Sequence, residues 1–578
     1  MSSIRLTAAA TSSLPRQILI LMTAVYGLVG LFGRAPWKYE DGIGFGLMWS
    51  VSQGTWQDWL LPHLAGRDEI ASAPLPYWIG GMFIKALGWL IGATNAAGLY
   101  TASCFFISCI CLWHAVYLLG RRAEVQPMAF ALGGQPNPKD YGRTLADGAL
   151  MIFLACVGLA MRAHETTPAL AQLLAVCLAL YGLVRGLDKP IQGGISTGIA
   201  ISVAILSDHV GFSIALVIGT LVALSICEIR PKLQWALLTV MVSILGLLMW
   251  PSLWLVSGFS VDRIYPLIEH WLGWQHYQWS PSISSLSYFA HNFLLYSWPI
   301  WPLAVWSLWF WRKGTNYPLG GIRNPHMAMP LGIFLGVILF YTFSRSLEEQ
   351  QLIIAIPAIV IWAGFSLPII KRSVISFIDW LGLVSFTILG LFIWVMWIAM
   401  MTGTPQSLAK NIAKTLPGYN PEFSWFNLIV ASVITVLWIL LIRWRTSRAP
   451  RVIWRAVVIS ASGTILNWVL LMTLWLPTIH HAKTYQPVAE GLIKAVPSKH
   501  TCIDTSYLPD AQLASFSYLT KLALRDDPQC DLLLTKLSAS NDFRTPFNEE
   551  SYQLIWEDRR SSDKSEKIRL YQANKHAQ

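Results

Sequence analysis

Residues Arg34–Trp78 read RAPWKYEDGIGFGLMWSVSQGTWQDWLLPHLAGRDEIASAPLPYW. The stretch is too polar and too broken to cross a bilayer, which takes about 20 apolar residues in a row. It is also too rich in Trp for an ordinary solvent loop. Gly, Pro and Trp divide it into short amphipathic pieces. One, at 43–61, carries Trp49, Trp56 and Trp59 among polar residues; a second, at 76–90, is short and Gly-rich. Such pieces suit helices lying in the plane of a membrane interface, apolar face down. The quoted segment therefore reads as surface structure on a membrane protein.

The chain on either side agrees. Its 578 residues are 54% hydrophobic and only 13% charged, against about 25% charged in a soluble domain. That composition excludes disorder, coiled coil, collagen and a small disulfide scaffold. An apolar run at Ile18–Phe32 precedes the segment. Others follow near 97–119, 147–163, 168–186, 193–207, 210–228, 234–256, 292–311, 327–344, 351–370, 374–401, 425–442 and 454–477, about thirteen expected spans in all. Arg5 and Arg16 precede the first run, with no small-residue cleavage site after it, so it reads as an uncleaved span with a cytoplasmic N-terminus. Alternating from there, the inner loops receive Arg121 and Arg122, Arg185 and Lys189, Arg230 and Lys232, Arg312, Lys313 and Arg323, Lys371 and Arg372, and Arg443 through Arg455. Outer loops are poorer in Lys and Arg, as the positive-inside rule requires. The 42 basic against 31 acidic residues follow from that pattern and from anionic headgroups, and no nucleic-acid partner is implied.

An odd number of spans places the polar tail outside. Two regions follow: 1–479, a transmembrane domain, and 480–578, a small exported domain. The tail holds Cys502 and Cys530 and no other Cys; two Cys in an exported domain are expected to pair. The other six lie within apolar runs and read as packing residues. The chain has no GxxxxGK[ST], no GxGxxG with a following ribose-binding acid, no GxSxG and no HExxH, which argues against nucleotide-driven transport and soluble-type dehydrogenase chemistry. No repeat relates the two halves, which argues against a secondary transporter.

The acids are where chemistry can reside. Glu40 and Asp41 fall just after the first span, at headgroup depth; Asp68 and Glu69 form a second pair. Such a pair is either simply solvated or supplies a general base for a lipid-borne substrate, with partial burial raising its pKa. Glu165 stands beside a span end, where ionisable groups are functional candidates. The loop 257–291 carries Glu269, His270, Trp271, Trp274, His276, Tyr277 and Trp279. It reads as an interfacial anchor first and a ligand or cation contact second.

These residues resemble the polytopic glycosyltransferases that use polyprenyl-phosphate sugars, the aminoarabinose–lipid A transferases and protein O-mannosyltransferases. That family's first outer loop carries an acidic pair, then a stretch like SGDW…P…NG, then EKPPLYYW. The matching positions here are YED at Tyr39–Asp41, SQGTWQDWLLPHLAG at Ser52–Gly66 and ASAPLPYW at Ala71–Trp78. The likeness continues through MRAHETTPAL at Met161–Leu170, LSDH at Leu206–His209 in place of LSKG, and FSRSLEEQQLIIAIP at Phe343–Pro357. The resemblance implies an all-α integral membrane protein with a GT-C type bundle of about thirteen transmembrane helices. It adds interfacial helices in the first outer loop and a small C-terminal α/β domain. The protein is expected in a bacterial inner membrane, multi-pass, with its N-terminus cytoplasmic and its C-terminal domain periplasmic.

The implied reaction moves a sugar from a polyprenyl-phosphate donor to a lipid A, glycan or protein acceptor, with membrane lipids as partners. Asp41 or Glu40 would be the base, Glu165 (or His164) a second acidic-site group, and Tyr77, Glu269 and His270 donor or acceptor contacts. The family's EK is replaced by Ala71 and Ser72, and the LSKG lysine by Asp208. A cation for the leaving phosphate must then come from elsewhere: Arg67, Arg162, Arg345 or Arg263. No fixed cofactor is implied; the metal is unassigned, with room for a divalent cation. Two other readings stand beside this one, a flippase or transporter of lipid-linked glycans and a non-catalytic binder of them.

Overall fold

The structure, a computed structural model, describes residues 4–37, 39–65, 67, 72–131, 133–273, 276–278, 280–312, 321–345, 347–446, 453–538, 551–563 and 566–573. Asp68, Glu69, Ala71, Trp274, Trp279, Lys313, Arg448 and Arg451 lie outside them. Among the described residues the helices are α1 (Arg16–Leu28), α2 (Glu40–Gln53), α3 (Trp56–Leu60), α4 (Leu75–Ile91), α5 (Ala93–Gly120), α6 (Pro138–Leu154), α7 (Val157–Arg162), α8 (Ala169–Asp188), α9 (Pro190–Ser207), α10 (Val210–Ile226), α11 (Leu233–Val256), α12 (Val261–Leu272), α13 (Ile283–Tyr296), α14 (Ile300–Trp311), α15 (Pro325–Phe343), α16 (Ile356–Gly364), α17 (Arg372–Thr402), α18 (Gln406–Thr415), α19 (Trp425–Thr446), α20 (Val458–Leu474), α21 (Leu476–Lys483), α22 (Gln486–Ala495) and α23 (Asp510–Thr520).

Every expected apolar run falls on one or more of these helices. Seven helices are long and apolar enough to cross a membrane alone, and the bent pairs α13/α14 and α20/α21 bring the number to nine. The remaining four runs fall on shorter pieces. The first run ends early because Gly30 adopts a left-handed φ of 95°; α6 breaks at Ala155 before α7. The run 351–370 begins as the 3-10 segment Glu349–Ala355 before α16, and α10 stops at Ile226. The interfacial pieces expected at 43–61 and 76–90 are α2 with α3, and α4.

The bundle packs by close approach. Without water, helix association in a bilayer relies on van der Waals packing of small residues. Gly182, Gly186 and Gly193 let α8 and α9 meet backbone to backbone, and Gly219, Gly332 and Gly336 do so for α10 and α15. Basic turns gather at one end: Arg122 pairs with Asp188 at 3.7 Å, and Arg323 with Glu228 at 2.8 Å. The opposite end gathers the α1–α2 connection, the α7–α8 and α9–α10 turns and the end of α15.

The tail adds a five-stranded sheet of order β2-β1-β3-β5-β4, with β1 (Ile503–Asp504), β2 (Leu524–Arg525), β3 (Leu532–Ser538), β4 (Tyr552–Asp558) and β5 (Glu566–Ala573). β1 runs parallel to β2 and β3, while β3–β5 and β4–β5 are antiparallel. The Cys502 and Cys530 sulfurs are bonded. The sheet unit does not stand apart from the bundle. Leu513, Ala514 and Phe516 of α23 belong to the same buried cluster as Phe45 and Met48 of α2, and Tyr518 meets Phe45 and Trp49 edge to face at 4.8 and 5.1 Å.

Candidate active site

The two acids of the quoted segment open α2 side by side and point different ways. Successive helical residues are rotated by about 100°. Asp41 turns inward and is 3% exposed. Its Oδ2 accepts from Arg34 Nη1 at 2.6 Å and from the Trp37 N–H at 2.9 Å; its Oδ1 accepts from the Thr166 N–H at 2.7 Å. Arg34 in turn donates from Nη2 to the His164 carbonyl at 2.7 Å and from Nε to the Gly30 carbonyl at 3.1 Å. Burial pushes the Asp41 carboxyl up, but the Arg34 guanidinium and the two N–H groups outweigh it and hold the group below the usual carboxylate range. Asp41 and Arg34 thus form a clasp joining the end of α1, the start of α2 and the α7–α8 turn. Gly44 lets that turn approach, because a Cβ there would strike the Thr166 carbonyl oxygen. Trp37 lies between the Arg34 guanidinium at 4.1 Å and Lys483 Nζ at 4.3 Å.

Glu40 turns the other way, onto a cavity of about 200 Å³. Tyr77, Asp208, His209, His276, Tyr277 and Glu348 line the same cavity, with Gln172 and Gln350. These residues come from α2, α4, α8, the α9–α10 turn, the stretch after α12 and the stretch after α15. Although Glu40 is exposed by surface area, it stands in a recess. Desolvation first, and the Glu348 carboxylate second, raise it to about 7. His209 stacks on His276 at 4.3 Å and faces His270 at 5.8 Å; burial lowers its pKa, and the two imidazoles add to that against Asp208. Gln172 Nε2 donates to Asp208 at 2.8 Å. Among the described residues, three buried atoms around the cavity, Gln172 Oε1, Gln350 Oε1 and His209 Nδ1, have no hydrogen-bond partner.

The remaining candidates are distributed unevenly. Glu165 is buried beside the cavity end of the bundle, with both oxygens accepting from Arg162 Nη1 at 2.8 Å. Burial raises its carboxyl, opposed by Arg162. Arg162 also pairs with Glu349 and donates from Nε to Tyr296 Oη at 3.1 Å, so two carboxylates already hold it. Arg67 is turned to the tail: it pairs with Asp510 and donates from Nη2 to the Thr505 and Leu508 carbonyls at 2.8 Å each. Arg345 does not line the cavity itself; its N–H donates to the His276 carbonyl and its Nε to the Tyr277 carbonyl, both at 3.0 Å, and it is exposed. Glu269 and Arg263 lie exposed on α12, the latter over Phe259. Neither they nor His270 line the cavity. His164 is buried with Nε2 2.7 Å from the Tyr26 carbonyl and stacks on Trp468.

The cavity's acids and imidazoles do not converge as a metal-ligand trio. Among the described residues the one such group is Cys502, Asp527 and Cys530, whose sulfurs are spent on each other.

Asp208, Tyr277, Glu348 and Gln350 are the residues the sequence reading passed over. Asp208 stood only as the replacement for the family's lysine, Glu348 and Gln350 lay unremarked inside the match at Phe343–Pro357, and Tyr277 was one aromatic among several in the loop 257–291. Tyr277 and Phe340 also line a second, apolar recess of about 260 Å³ between α10 and α15. Ile214 and Ile218 line that recess and are 45% and 37% exposed on the outer face of α10. The polar cavity thus shares a wall with a lipid-facing groove.

This architecture, a GT-C type membrane bundle carrying a small C-terminal α/β unit, is found in solved structures. The chain has the fold of ArnT from Cupriavidus metallidurans. The crystal structure of that protein bound to undecaprenyl phosphate matches at a TM-score of 0.64 and 15% identity, covering 96% of this chain and 97% of that one. The apo structure matches at 0.61 and 14% identity over the same shares. No protein-family model and no curated protein matches the sequence.

Proposed function

We propose that the protein is a membrane glycosyltransferase that takes a sugar from a polyprenyl-phosphate donor and passes it to a lipid, glycan or protein acceptor. The observation that carries this reading is the shared wall at Tyr277 and Phe340, with an acid-lined polar cavity on one side and an apolar, lipid-facing groove on the other. A donor with a charged head and a long isoprenoid tail needs both at once. The similarity to an undecaprenyl-phosphate-bound fold supports the same donor class. The amide side chains of Gln172 and Gln350 that line the cavity suit sugar hydroxyls.

Glu40 is the base in this proposal. Its carboxylate takes the acceptor hydroxyl proton as that oxygen bonds to the anomeric carbon. The bond from that carbon to the phosphate oxygen breaks, and its electron pair leaves with the polyprenyl phosphate. A single displacement of this kind inverts the anomeric centre. A base with a pKa near the working pH is the efficient choice. Asp41 acts as the clasp that fixes the first turn of α2, and Glu165 holds Arg162. Arg345, exposed and held by the carbonyls of the cavity residues His276 and Tyr277, is assigned to the leaving phosphate in place of the absent lysines. In this proposal the cavity and the 480–578 domain lie on the periplasmic side and the N-terminus in the cytoplasm, a reading the positive-inside pattern of the loops supports.

The test is a strain lacking the gene, complemented with the parent or with Glu40→Gln, whose envelope lipids, glycans and proteins are compared by mass spectrometry. The proposal requires a glycosylated product that returns with the parent and not with the variant. An envelope identical in the three strains would overturn it.

A further inference from the structure

At the end of the bundle opposite the cavity, α1, α5 and α6 leave another groove, of about 660 Å³. Its walls are apolar, with Leu19, Ile20, Ala24, Phe106, Ile110 and Leu150 among them, and its mouth is charged. Arg16 is the first residue of α1, and Arg143 lies in the second turn of α6, so both stand where those helices begin. Arg143 Nη2 lies 3.4 Å from the Leu14 carbonyl, which ties it to the chain just ahead of α1. Neither arginine makes a salt bridge among the described residues, and Arg16 is exposed. One turn deeper, Asp147 Oδ1 accepts from Trp113 Nε1 at 2.9 Å. Two cations against one buried acid leave the mouth positive; the further cations at that end, Arg121, Arg122 and Lys139, stand beside Glu124, Asp140 and Asp188.

The groove's length is informative. From Arg16 to Ala24 is eight residues, about 12 Å along a helix. One leaflet of the hydrocarbon core is about 15 Å deep, half of the roughly 30 Å total. The groove therefore runs from headgroup level most of the way through one leaflet and stops. A polyprenyl chain is far longer than that; the acyl chain of an ordinary leaflet lipid is matched to it. Basic pockets between helices beside the basic turns of a membrane protein are suited to anionic headgroups.

We propose that this groove binds an anionic glycerophospholipid of the leaflet next to the basic turns. Its phosphate lies between Arg16 and Arg143, and one acyl chain runs along α1 and α5. The site is separate from the sugar-transfer cavity. It clamps the start of α1, whose far end carries the Arg34–Asp41 clasp.

The test is native mass spectrometry of the full-length protein released from detergent, with phosphatidylglycerol or phosphatidylcholine of identical chains added. The parent should retain one phosphatidylglycerol at least tenfold more than phosphatidylcholine. Arg16→Gln with Arg143→Gln should erase that preference without moving the melting temperature of the lipid-free protein. Ala24→Phe, which fills the groove and keeps both charges, should lose the bound lipid altogether. Equal retention of the two lipids by the parent, or an unchanged preference in the double Arg variant, would overturn the proposal. So would undecaprenyl phosphate taking the Ala24→Phe-sensitive position in place of phosphatidylglycerol.

Discussion

Asp41→Asn should unfold the outer end of the bundle rather than simply stop chemistry. The carboxylate accepts three hydrogen bonds, two at Oδ2 and one at Oδ1. An Asn has one acceptor oxygen. Whichever way the amide is placed, its NH₂ faces a donor, either the Thr166 N–H or the Arg34 guanidinium with the Trp37 N–H. The substitution also leaves Arg34 buried, at 8% exposure, without its counter-charge. Breaking a buried pair from one side costs about 3–5 kcal/mol. The assay is thermal melting of the detergent-purified protein, followed by fluorescence-detected size exclusion. Asp41→Asn should melt well below the parent, by several degrees or more, and Glu40→Gln close to it. Replacing both partners, Arg34→Leu with Asp41→Leu, should recover part of the loss, because no unpaired charge remains. An Asp41→Asn protein that melts with the parent and has lost only turnover would refute the clasp and return Asp41 to the chemistry.

Three further outcomes follow from the same geometry. Glu40→Gln should lower transfer by about 10²–10⁴-fold, the usual worth of a general base; in the parent, with a carboxyl near 7 needed ionised, transfer should fall roughly tenfold from pH 8 to pH 6. Because folding raises that carboxyl above its free value, its ionisation works against the fold, so its contribution to stability falls as pH rises from about 4.5 to about 7; a flat rate profile across pH 6–8 would contradict its role. Gly44→Ala should destabilise by about 1–3 kcal/mol, the usual range for forced overpacking, since the Thr166 carbonyl cannot yield without disturbing the Asp41 bond, and a melting temperature equal to the parent's would contradict it. Arg67→Ala removes two charge-assisted bonds to tail carbonyls, each worth about 1.5–3 kcal/mol, and should expose the tail to limited proteolysis while the bundle stays intact; unchanged cleavage would contradict its anchoring role.

Much of this architecture was legible in the chain. The alternation of apolar runs and basic turns marked the bundle, and the Trp, Gly and Pro punctuation of 34–78 divided that stretch into the pieces that fold as α2, α3 and α4. What sequence could not resolve was direction. Glu40 and Asp41 are neighbours in the chain, yet one faces the cavity and the other the α7–α8 turn, and only the packing of that turn on Gly44 decides which. Arg34 carries no motif and gains its role from a carbonyl 130 residues away. Arg67 read as a phosphate ligand because its partners, at 505–510, are distant in sequence. Asp208 read only as the replacement for a lysine because nothing local shows that the α9–α10 turn, α4 and the end of α15 converge. Breaks inside the runs were not legible either: Gly30 and the interruption at Ala155 divide apolar stretches that hydropathy alone joins.

The central claim is that one lipid-linked donor bridges the polar cavity and the α10–α15 groove. A cryo-EM reconstruction of the protein with undecaprenyl phosphate tests it most directly. The account predicts phosphate density within reach of Arg345 and Tyr277, with the isoprenoid tail leaving past Phe340 along Ile214 and Ile218. Phosphate density between Arg16 and Arg143 at the other end of the bundle, with the cavity unchanged, would contradict it.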